Sequence, residues 1–160
     1  PEALTRLQRA LNRLNRVGSG ALWLIHGSQA QITEPIDATE LIETLCDEFA
    51  ELACKKQQTV SLQAKEAILI SMPEEAIELI IANVLMNAVR HGGKGEIRIL
   101  HQPPELYISN PLDGSNSSDY KGFGIGLSLT QRLALVFDYE IKFERSKSQA
   151  QVRLIPITRH

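Results

Sequence analysis

The chain reads as an α/β protein, a two-layer sandwich with one mixed sheet and helices on one face, preceded by a long N-terminal helix. Three observations predict this. From residue 37 to residue 157, a helix-period segment followed by two short strand-period segments occurs three times over. Turn-forming residues separate the segments, most plainly Gly92-Gly93, Pro103-Pro104 and Asp113-Gly114. Hydrophobic residues make up 43% of the 160 residues but aromatics only 5%, so Leu, Ile, Val and Ala must fill a single ordinary core.

In residues 3–26, Leu4, Leu7, Leu11, Leu14, Gly18, Ala21 and Ile25 alternate steps of three and four, which is a heptad seam. Arg6, Arg9, Arg13 and Arg16 fall on the opposite side. Such a seam suits a bundle or coiled coil. Gly18-Ser19-Gly20 is a candidate bend, since each glycine weakens a helix by about 1 kcal/mol relative to Ala. Residues 27–36 (GSQAQITEPI) are polar and read as a linker, which divides the chain into 1–26, 27–36 and 37–160.

Asp37 with Glu40 reads as a capping box for a helix running to about Lys55, with Leu41, Ile42, Leu45, Phe49 and Leu52 inward. Alternation predicts strands at 59–63 and 67–71. Ser71-Met72-Pro73-Glu74 starts a second helix, with proline in its first turn and acids at its positive end. That helix runs from about Pro73 to Arg90, and Gly92-Gly93 ends it. Strands at 96–100 and 105–110, a polar stretch at 111–121, a helix from about Ile125 to Phe137, and strands at 140–146 and 150–157 complete the chain.

Several function classes are excluded early. A net charge of −2 is not that of a nucleic-acid surface. The most apolar stretch, 77–89, contains Glu78 and two asparagines and is not a membrane span, and no signal peptide is visible. Cys46 and Cys54 share one predicted helix without a His/Cys cluster, so they read as buried reduced thiols in a cytoplasmic protein. His26, His101 and His160 are scattered, and no serine-nucleophile elbow is present.

The chemistry concentrates in three places. Asn83 and Asn87 lie four residues apart, on one face of a helix whose core side carries Ile77, Ile80, Ile81, Val84, Leu85 and Ala88. Amide oxygens suit a hard cation such as Mg²⁺ that is shared with phosphates. Arg90 and His91 follow, where phosphates would lie. The glycine run Gly122-Phe123-Gly124-Ile125-Gly126, just before the helix that holds Leu127, offers bare N–H groups to anions, with Lys121 beside it. It is not a dinucleotide fingerprint, because the polar NSSDYK stands where a buried strand would be required. Asn110 ends a strand and either reads an adenine edge or starts the turn toward Gly114.

These motifs resemble the catalytic ATP-binding domain of sensor histidine kinases. Asn83-Val84-Leu85-Met86-Asn87-Ala88 with Arg90-His91 matches the family's asparagine box. Ile108-Ser109-Asn110 through Gly114 stands at the first glycine box, and Gly122 through Leu127 matches the second. The resemblance implies a Bergerat-type fold over 37–157, with ATP between the asparagine helix and a lid. It implies Asn87 as the Mg²⁺ ligand beside Asn83, and Arg90, His91, Asn110, Gly114, Lys121, Gly122, Gly124, Gly126 and Leu127 around the nucleotide. Relatives that hydrolyse ATP carry Glu at the position of Asn83, and an amide is no general base. Asn83 thus favours phosphoryl transfer to a histidine, which positioning and charge neutralisation can support. A response-regulator receiver and homodimerisation through residues 3–26, the second helix of a phosphotransfer hairpin, are the implied partners. Asn110 in place of the usual Asp, and Leu112 in place of Gly, imply weak ATP affinity. The short 115–121 lid lacks a phenylalanine motif, and the helix bearing the phosphoacceptor is expected upstream, so these residues alone are not expected to autophosphorylate. The alternatives are a degenerate nucleotide-binding module and an anti-sigma-type serine kinase.

Overall fold

The computed structural model describes residues 34–113 and 125–158, without the side chains of Ile125 and Gly126. The predicted helix 3–26, most of the linker, and Gly114, Lys121, Gly122 and Gly124 lie outside the described residues. The described elements run β1 (Ile36–Asp37), α1 (Thr39–Cys54), β2 (Gln58–Gln63), β3 (Leu69–Ile70), α2 (Glu74–His91), β4 (Gly95–Gln102), β5 (Glu105–Pro111), α3 (Ile125–Val136), β6 (Tyr139–Arg145) and β7 (Gln149–Pro156).

Five strands form one mixed sheet in the order β2-β4-β5-β7-β6. β2 and β4 are parallel, an arrangement that needs a crossover such as the one through α2, and the other pairs are antiparallel. Register decides which side chains share a face. Ile99 stands opposite Leu62 and Ile108, Ile108 opposite Val152, and Val152 opposite Phe143. Their row, with Ile97, Leu106, Ile141 and Leu154, packs against the helices, while the residues between them point the other way. α1 lies on β2, α3 on β6, and α2 between them, touching both helices and β5. The core is aliphatic, with Ile42, Leu45, Ile77, Ile80, Ile81, Leu85, Ile97, Ile99 and Leu133 essentially closed to solvent.

Three local expectations change. The 67–71 segment does not join the sheet; only Leu69–Ile70 is a strand, and it pairs with β1, so Ile36 of the expected linker is structured. Asp37 is not the N-cap of α1, which is Ala38, and no capping box closes. The Asp37 carboxylate instead accepts from the Thr39 N–H at 3.0 Å and its hydroxyl at 2.6 Å, and these bonds hold its carboxyl below the usual range. Pro73 is the N-cap of α2 rather than a first-turn residue, its carbonyl accepting from Ala76 and Ile77.

Gly92 does end α2, for a reason other than left-handed backbone. Its φ of −76° and ψ of 152° are open to any residue. Space is the constraint: a Cβ there would sit 2.3 Å from the Ala88 carbonyl oxygen and 3.1 Å from the amide nitrogens of both Asn110 and Gln58.

Candidate functional site

α2 supplies one wall of a cleft. Its core face is fixed by the buried run from Ala76 to Val89, which leaves Asn87 and His91 half-buried along the edge that meets the sheet. Opposite stand Ile108 and Asn110 of β5, Ala150 and Val152 of β7, and Phe143 of β6, with Leu127 of α3 closing one end. The cleft as it stands has only about 20 Å³ of free space, room for a single water, against about 300 to 1,000 Å³ for small-molecule sites, so a nucleotide would have to part its walls. Its walls are mainly apolar, with Asn87, His91 and Asn110 the polar groups.

The two asparagines diverge. Residues four apart on a helix are offset by about 40°. Asn87 lines the cleft, but Asn83 donates from Nδ2 to Thr130 Oγ1 at 3.2 Å, joining α2 to the buried Thr130 of α3. Arg90 is exposed and outside the lining, while His91 is within it. Gly126 falls in the first turn of α3, and Leu127 behind it is buried.

Asn110 is buried, and its orientation is defined. Nδ2 donates to the Pro111 carbonyl at 3.1 Å, so Oδ1 is the end left to accept from a ligand. A purine amino group is a matching donor. For Mg²⁺, the donor set also fits. Among the described residues no group of three or more His, Cys, Asp or Glu could hold a metal alone. Mg²⁺ is commonly bound by one or two protein oxygens with phosphates and waters, and the Asn87 amide oxygen is such a donor.

Two residues absent from the sequence analysis hold this end of α2 in place. Lys56 donates from Nζ to the carbonyls of Val89 and Arg90, placing a cation at the negative end of the helix. Gln58 is 2% exposed, and its Nε2 faces the carbonyls of Gly92 at 3.1 Å, Gly93 at 3.2 Å and Val89 at 3.4 Å. A Lys-Lys-Gln-Gln stretch reads as a solvated turn, and nothing in its pattern marks Gln58 as buried. Cys54, expected to be buried, is exposed; Cys46 is buried as expected.

No family model matches this chain, and no curated protein does. Solved structures do. The cytoplasmic segment of histidine kinase QseC is 15% identical, with 97% of this chain and 95% of that one covered at a TM-score of 0.68. Acinetobacter baumannii histidine kinase AdeS is 14% identical, over 99% and 84%, at 0.73. Full-length ShkA, solved in complex with AMPPNP, is 16% identical, over 99% and 39%, at 0.67. At such identities the likeness is one of fold: this is an α/β sandwich of the class found in histidine kinases. Among the described residues no helix is long and apolar enough to cross a membrane.

Proposed function

We propose that the chain is the ATP-binding part of a two-component sensor histidine kinase, with residues 37–160 as the nucleotide-binding unit. The observation that carries this reading is the meeting of Asn87, His91, Asn110 and Leu127, from three separate elements, around one cleft. The bound complex of ShkA with AMPPNP supports a nucleotide as the ligand. Asn110 Oδ1 would accept from the adenine amino group, the apolar walls would sandwich the base, and Asn87 would hold Mg²⁺. The ion, when bound, neutralises phosphate charge during transfer. Asn83, tied to Thr130, positions α2 against α3 and supplies no base, which fits transfer to a histidine rather than to water. The acceptor histidine lies on a separate helix of the intact sensor, residues 3–26 serve dimerisation, and a receiver aspartate takes the phosphoryl group next.

Calorimetric titration with ATP, with and without Mg²⁺, tests this. Weak, Mg²⁺-dependent binding is expected, reduced at least tenfold by Asn87→Ala in the presence of Mg²⁺. Binding that neither Mg²⁺ nor the substitution affects would overturn the assignment.

A further inference from the structure

Gln58 touches no part of the cleft, yet hydrogen bonds connect it to the residue that would read the base. Its Nε2 engages the carbonyls of Gly92 and Gly93. The Gly93 N–H donates to the Pro111 carbonyl at 2.7 Å. That same carbonyl accepts from Asn110 Nδ2 at 3.1 Å. Gly92 adds a steric link, since its Cα is flanked by both amide nitrogens and leaves no space for a side chain between them. Gln58 is closed to solvent and its Oε1 has no partner, so the donor end alone explains its burial.

An asparagine presents a donor or an acceptor according to which way its amide is turned, unlike a carboxylate, which only accepts. We infer that Gln58 is a specificity-determining positioning residue: through the 92–93 peptides and the Pro111 carbonyl it fixes the Asn110 amide with its oxygen outward, selecting a base with a 6-amino donor over one with a 6-oxo acceptor. The inference rests on the nucleotide reading above and extends it to purine choice. With the 92–93 peptides free to rotate, Gly92 moves off the Asn110 amide nitrogen it flanks, the amide turns, and both purines find a partner.

The test is calorimetry of wild type and Gln58→Met with Mg²⁺-ATP, Mg²⁺-GTP and inorganic triphosphate. Methionine keeps the length of the side chain and removes the donor. Wild type is expected to prefer ATP by about tenfold or more, the worth of one hydrogen bond made against one refused. In Gln58→Met the preference should fall to about twofold or less, with triphosphate affinity unchanged; a merely structural loss would weaken all three ligands together. An unchanged purine preference in a folded variant overturns the role of Gln58 while leaving the nucleotide reading standing. Wild type that binds neither purine nucleotide sinks both. Should the variant not fold, nuclear magnetic resonance of wild type decides: the Asn110 side-chain amide should exchange slowly and show coupling to the Pro111 carbonyl, and a freely exchanging amide refutes the inference.

Discussion

On the helix-covered face of the sheet, Ile97, Ile99, Leu106, Ile108, Ile141 and Leu154 are no more than 7% exposed. One residue along each strand, on the other face, stand Arg98, Glu105, Tyr107 and Arg153, held by ion pairs and one ring contact. The same strands therefore obey two regimes. The covered face is set by excluded water and close packing, and it continues into the cleft through Ile108 and Val152. The open face is set by charge in a solvated medium, where each contact is weak. Substitutions of similar size should accordingly have unequal effects.

The largest effect is expected at Ile99, which is fully buried on an interior strand and pairs with Leu62 and Ile108. Ile99→Ala removes three carbons and leaves a cavity, so urea unfolding should lose about 2–5 kcal/mol. A loss under about 1 kcal/mol would mean that the layers close on the gap, and the contrast between faces would fail.

A smaller effect belongs to Cys46, on the buried side of α1. Burial first, then Asp47 and Glu43, pushes its thiol up to about 11 from an ordinary 9.0. The neutral thiol is the form the fold favours. Its contribution is thus complete below pH 9 and lost as pH rises through about 11. Wild type should lose more stability than Cys46→Ala between those values, and parallel curves would refute the assignment. Thiol reagents should meet exposed Cys54 well before Cys46.

Legibility in the sequence follows the same division. β4 to β7 alternate apolar and polar residues because one face is covered, and that alternation places them within a residue or two of where they lie. The 67–71 segment alternates as well, yet pairs with Ile36–Asp37, because alternation records burial and not the identity of the partner strand. Helical spacing brings Asn83 and Asn87 together but cannot show that one meets Thr130 and the other a cleft. Gln58 was illegible for a related reason. Its significance comes from carbonyls some 31 to 35 residues away, at the end of a helix that only tertiary packing delivers.

The smallest effect is expected on the open face, at its best-connected residue. Arg153 donates to Glu105 at 2.8 Å and Glu144 at 3.2 Å, and its guanidinium lies 5.4 Å from the centre of the Tyr107 ring, whose hydroxyl donates to the same Glu105. Tyr107 first, and Arg153 second, hold the Glu105 carboxyl below its ordinary range. A depressed carboxylate contributes stability above its unfolded pKa and loses it as pH falls through the lower folded value. Arg153→Ala should therefore shift the thermal midpoint by roughly a degree or two at neutral pH, and less again in high salt or acid. Arg153→Lys should not restore it fully, since an ammonium lacks the planar fork that reaches two carboxylates while lying over a ring. A shift as large as that of Ile99→Ala would show that this lattice acts as a second core, and the distinction between the two faces would have to be abandoned.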